Sequence, residues 1–152
     1  MRPNRVLLRA GFLLVLLALF TGFAIPAFLN QRMAVNAHVA GTLNGLLLVA
    51  LACAWESLRQ GAGRARLVRG LAIYGTYANW FSGVLAASWG TNRLTPLGGA
   101  GFHALPWQEA IVQTLQVTLA LAIAAAMLLV VLALGPEREN VAMRTPGSLA
   151  AS

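Results

Sequence analysis

The chain has 152 residues, of which 59% are hydrophobic and 10% charged, with a mean hydropathy of +0.72. A water-soluble domain of this size is not so apolar, and a bilayer is the solvent that suits it. The net charge of +7 rests on 11 basic residues, all arginine, standing almost entirely at the ends of apolar runs; that pattern is a topology signal, and no nucleic-acid partner is expected.

Four stretches are long enough to cross about 30 Å of hydrocarbon, which takes roughly 20 helical residues. They are residues 6–29, 35–58, 67–90 and 106–134. The first resembles a secretory leader, with Arg2, Arg5 and Arg9 ahead of it, but its apolar run continues through Phe23 and Ile25 and is too long for a cleaved segment. Between the second and third stretches lies a short polar turn with Arg59, Arg64, Arg66 and Arg69. Residues 91–106 make the longest loop on the other side, carrying Arg93 and His103 and large enough to cover a site. Residues 135–152 mix Pro, Gly and Ser and read as a disordered tail. Only Arg32 and Arg93 depart from the charge bias, so both termini are expected to be cytoplasmic. The predicted fold is all-α, an integral membrane four-helix transmembrane bundle over residues 1–134.

Polar residues inside these spans point to a site, because hydrocarbon gives an amide nothing to bond. His38 stands near the outer end of the second span, and Asn44 lies about 13 Å below that boundary at 1.5 Å per residue. Asn79 is roughly 16 Å down the third span, and Glu109, Gln113 and Gln116 recur on one face of the fourth. Asn44, Asn79 and Gln113 are therefore expected to share a layer in the outer half of the bilayer. Glu109, in the first turn of a helix, is expected to face water, with proton transfer or a tie to Arg93 as the other readings. Gly41 and Gly45 fit close helix contact, whereas the gap around Asn79, between Gly75 and Gly83, fits either contact or a flat ligand.

From spacing alone His38 reads as an interfacial histidine or as a ligand. Only one other histidine (His103) and one cysteine (Cys53) occur, and there is no aspartate, so a metal site made of protein ligands alone is not completed. A planar cofactor that brings its own equatorial ligands needs one axial imidazole, so haem fits where zinc does not.

The segments Ala37-His38-Val39-Ala40-Gly41-Thr42-Leu43-Asn44-Gly45 and Tyr74-Gly75-Thr76-Tyr77-Ala78-Asn79-Trp80 resemble those of bacterial hydroxylaminobenzene mutases and, more distantly, styrene oxide isomerases. Gly101-Phe102-His103 and Trp107-Gln108-Glu109 add to the mutase likeness, which runs from about Gly11 to Leu134. The resemblance implies a small multi-pass isomerase of the bacterial inner membrane. It also implies a homotrimer holding haem b between protomers, with His38 as the iron's axial ligand and Asn44 orienting substrate. The epoxide isomerases carry a carboxylate and a tyrosine where this chain has Gly75 and Gly83, a departure that favours the mutase.

The expected chemistry is the rearrangement of an N-aryl hydroxylamine to a 2-aminophenol, with ferric haem b as Lewis acid. Asn44 and Asn79 would hold the polar group and Tyr77 would donate to the departing oxygen. Tyr74, Trp80, Phe81, Trp107 and Gln113 would line the pocket for a small aromatic substrate. Two other readings fit the same residues: epoxide-to-aldehyde isomerisation, and a non-catalytic subunit that binds haem or only packs helices.

Overall fold

Four long helices account for most of residues 4–134, the part of the chain described by the computed structural model, and no strand occurs among them. The helices are α1 (Arg5–Phe23), α2 (Gln31–Cys53), α3 (Ala62–Trp89) and α4 (Pro106–Ala133). The tail expected at 135–152 lies outside the described residues.

The helix ends follow local chemistry. Asn4 caps α1 by accepting from the backbone N–H groups of Val6 and Leu7. α1 stops at Phe23 rather than running to residue 29, because Pro26 lies in a short 3-10 turn, Ile25–Ala27, and proline cannot donate the next helical bond. Asn30 then caps α2, accepting from Met33 N, so that helix starts earlier than expected. It also ends earlier, at Cys53, where a second 3-10 turn, Trp55–Ser57, follows. α3 ends on Gly90, whose left-handed φ of 70° suits a residue without a Cβ.

Each helix packs antiparallel on the next. Asn4 N donates to Ala52 O, Asn30 N to Ala87 O and Arg59 N to Ala133 O, which ties the two ends of the molecule together. α1 packs on α2, α2 on α3 and α3 on α4, with a slighter contact of α1 on α3; neither α1 nor α2 brings its backbone close to that of α4. The four helices thus pack mainly in chain order, with α1 also resting on α3.

Two apolar clusters hold the helices together at the two ends. One joins Leu7, Leu14, Leu48, Val68 and Ala126 near the chain termini. The other joins Met33, Ala34, Ala86, Ala87 and Val112 at the opposite end. Between them the helices approach on small residues: a Cβ on Gly11 or Gly45 would lie 2.7 Å from the other's carbonyl oxygen, so here the close-contact reading of the second span's glycines holds.

α1, α2 and α4 are long and apolar enough to cross a membrane, so the chain is a membrane protein. α3 has 28 residues, about 42 Å of helix, but begins with Arg64, Arg66 and Arg69 and carries Thr76, Asn79 and Ser82. Its polar content is why it falls outside that set.

Candidate functional site

His38 leaves α2 on the side that packs against α1. Its Nδ1 lies 2.8 Å from the carbonyl oxygen of Ala18, and a carbonyl can only accept, so Nδ1 carries the proton and donates. In the neutral ring Nε2 is then the nitrogen with the lone pair, the arrangement that an imidazole ligand of a metal requires. The ring lies flush against α1 because residue 22 is glycine: a Cβ there would come within 2.7 Å of Nδ1. No group of three or more His, Cys, Asp or Glu residues able to hold a metal ion occurs among the described residues, so His38 can serve only a metal that brings other ligands.

On the opposite side of α2 lies a cleft of about 320 Å³, within the size range of small-molecule sites. At 100° per residue, the residues that α2 contributes, among them Asn36, Ala40 and Leu43, centre about half a turn away from His38. α3 forms the floor with Asn79, Ser82 and Gly83, α4 supplies Gln116, and the loop after α3 supplies Thr95. The cleft exists because α2 and α4 both pack on α3 without bringing their backbones close to each other. None of its lining residues is charged.

The amide layer expected from depth is therefore rearranged. Asn79 lines the cleft, but Gln113 faces a separate groove with Leu94 and Thr118, and Gln116 takes its place. Asn44 turns towards the helix interior, where its Nδ2 is buried without a hydrogen-bond partner. Asn36 and Thr95 are cleft residues that sequence reading passed over. Asn36 follows Val35 near a helix start and carries no signal of its own, and Thr95 reaches the cleft only through the path of the loop.

The expected aromatic wall lies elsewhere. Trp80 wedges against Gly41 and donates its indole N–H to Thr21 Oγ1 at 3.0 Å. Tyr77 donates its hydroxyl to Ala10 O at 2.8 Å, so both rings tie α3 to α1. Tyr74 pairs its hydroxyl with Thr118 Oγ1 on α4 at 2.7 Å. These three, with Phe81 and Leu115, form an apolar groove on another face of α3. Trp107 is half exposed and meets Trp89 edge-on at 5.2 Å between ring centres, a pairing typical of a membrane boundary.

Glu109 does not face water. It is 4% exposed, and its carboxylate accepts from the backbone N–H groups of Asn92 at 2.9 Å and Arg93 at 3.3 Å. Asn30 Nδ2 donates to Gly98 O, and Asn92 Nδ2 to Phe102 O. The loop over the cleft is thus pinned by α2, α4 and itself. His103 lies exposed on it.

Gly75 and Gly83 are helix contacts. A Cβ on Gly75 would lie 2.4 Å from Ile123 Cγ1, and one on Gly83 would lie 3.0 Å from the Cβ of Ala37. At Gly75, α4 fills the space that a side chain would need.

Comparison with known proteins finds relatives over most of the chain. The family model described as styrene oxide isomerase matches residues 3–135. Hydroxylaminobenzene mutase HabB of Ectopseudomonas oleovorans is 37% identical over 139 residues, covering 90% of this chain and 85% of that protein. Hydroxylaminobenzene mutase HabA of the same organism is 35% identical over 127 residues, covering 83% of this chain and 94% of that protein. No solved structure matches the chain.

Proposed function

The chain belongs to the styrene oxide isomerase family and is an isomerase, and from that premise we propose that it converts N-aryl hydroxylamines to 2-aminophenols in the bacterial inner membrane. The observation that carries this reading over epoxide opening is the packing of Ile123 onto Gly75. A carboxylate at residue 75, which the epoxide isomerases have, has no room unless α4 shifts. In this reading all four helices cross the bilayer with both termini cytoplasmic, on the side of Arg59, Arg64, Arg66 and Arg69.

His38 would hold the iron of ferric haem b: Ala18 O fixes its tautomer with the proton on Nδ1, so Nε2 carries the lone pair that could bind a metal. When bound, that group would supply a Lewis acid to weaken the N–O bond. The protein's own part is to bind, orient and keep out water. Asn79 at the floor of the cleft holds the hydroxylamino group by hydrogen bonds; Asn44, whose Nδ2 is buried without a partner and which does not line the cleft, would reach it only by turning its side chain. Apolar walls such as Ala40 and Leu43 flank the ring and exclude water from the reacting atoms. The N–O bond breaks, a C–O bond forms at the ortho carbon, and the proton lost from that carbon leaves the nitrogen as an amine. The lining side chains do not titrate, so they position the reacting groups and proton movement stays on the substrate. Tyr77 spends its hydroxyl on Ala10 O and acts here as a clamp between helices.

α2 stands between His38 and the cleft, so one subunit alone does not bring them together. A homotrimer, in which the α1–α2 side of one subunit faces the α2–α4 cleft of the next, would place the imidazole of each at the cleft of its neighbour. The purified protein is expected to show a Soret band and to turn hydroxylaminobenzene into 2-aminophenol, and His38→Ala to lose both. Retention of both by that variant refutes the ligand assignment, and formation of only an aldehyde from styrene oxide refutes the choice of substrate.

A further inference from the structure

We infer that Asn36 and Gln116 form, with Asn79, a polar subsite for a second neutral hydrogen-bonding group on the substrate's ring, such as a nitro group. The inference rests on the N-aryl hydroxylamine reading for the reacting end of the molecule and concerns the other end.

The three amides lie at different depths. Ala37 beside Gly83 and Ile123 beside Gly75 give the register of α2 and α4 on α3. Counting from those contacts at 1.5 Å per residue, Gln116 is about 4 Å nearer the outer end than Asn79, and Asn36 about 7 Å nearer. The cleft thus presents an amide at its floor and others higher on its two walls, with Thr95 above. The side-chain amides of Asn36, Asn79 and Gln116 make no hydrogen bond among the described residues.

Asn36 is exposed at the mouth, and Asn79 and Gln116 are partly buried; where the cleft faces lipid, an amide without a partner gains from a ligand that bonds it. A hydroxylamino group has two donors and sits at one end of a ring, so it serves the floor amide and leaves the upper pair without a partner. A ring bearing a second polar substituent at the far side reaches both levels. The absence of charged residues from the lining favours a neutral group over a carboxylate, whose burial without a cation is costly. Asn36 on α2 and Gln116 on α4 both line the cleft, and the amide N–H groups of each can donate to an oxygen of a nitro group.

The test compares aniline with 4-nitroaniline as non-reacting probes by calorimetry, and hydroxylaminobenzene with its 4-nitro derivative by KM, on the haem-loaded protein in nanodiscs. The nitro compounds are expected to bind about tenfold more tightly, the worth of one or two hydrogen bonds. Asn36→Leu and Gln116→Leu should each bring the ratio towards one, and Asn36→Gln should restore most of it. A ratio near one in the wild type, with 2-aminophenol still formed, overturns the subsite and leaves the proposed reaction standing. If no 2-aminophenol forms but the probe preference is present and lost in the leucine variants, the subsite stands and the proposed reaction falls.

Discussion

At the scale of single residues, the imidazole of His38 is controlled by two positions on α1 that carry no polar side chain. Ala18 contributes a backbone carbonyl and Gly22 contributes empty space. Gly22→Ala would put a methyl group into the Nδ1–carbonyl contact and turn the ring. Loss of such an outer partner costs metal sites about 10–100-fold in affinity or activity, so the expected result is a comparable loss of haem retention and turnover with His38 intact. Titrating haem into the variant, and finding wild-type affinity, would remove Gly22 from this role. Thr21 offers a second measurable case, since it receives the indole N–H of Trp80 at 3.0 Å. Thr21→Val leaves that N–H without an acceptor and should lower stability by about 1–3 kcal/mol, read as a fall in melting temperature.

At the scale of elements, the connection from α3 to α4 is fixed by a buried carboxylate rather than by packing. Glu109 accepts two backbone N–H groups at the loop's start, and Glu109→Gln removes the charge from both bonds, which are worth about 1.5–3 kcal/mol each in charge-assisted form. The expected outcome is faster hydrogen exchange at Asn92 and Arg93 and earlier proteolytic cutting within residues 91–105. Unchanged exchange there would show that the other ties, Asn30 to Gly98 O, Arg32 to Ala100 O and Asn92 to Phe102 O, hold the loop without the charge. The sequence allowed a tie of Glu109 to Arg93 but favoured a solvent-facing side chain; that the bonds go to the backbone N–H groups of Asn92 and Arg93 depends on the path of the loop, which residue types do not reveal. The helices themselves were legible, because runs such as Leu13 to Leu19 have only one solvent that suits them. Their ends were less so: Pro26 marked a stop inside an apparently continuous run, and Asn30 is a cap that apolarity alone does not reveal. Which helix carries each amide was legible too, since Asn79 lies in α3 and both Gln113 and Gln116 in α4. Facing was not, because which of Gln113 and Gln116 meets the cleft depends on how α4 rolls on α3, and Ile123 against Gly75 decides that.

At the scale of the whole molecule, the order of helix packing keeps the backbones of α1 and α4 apart and puts His38 and the cleft on opposite sides of α2. Two different inactive subunits therefore distinguish a site within one subunit from a site between subunits. His38→Ala lacks the ligand and Asn79→Leu lacks the floor amide. If each site takes its imidazole from one subunit and its cleft from the next around a closed ring, random co-assembly in equal amounts leaves about a quarter of the sites with both parts intact. Co-expressed subunits are then expected to recover roughly that fraction of wild-type turnover, while either variant alone stays inactive. If both parts belong to one subunit, every site in the mixture lacks one of them, and no mixing ratio restores activity. Native mass measurement of the same preparation supplies the count of copies, for which three is the expected number.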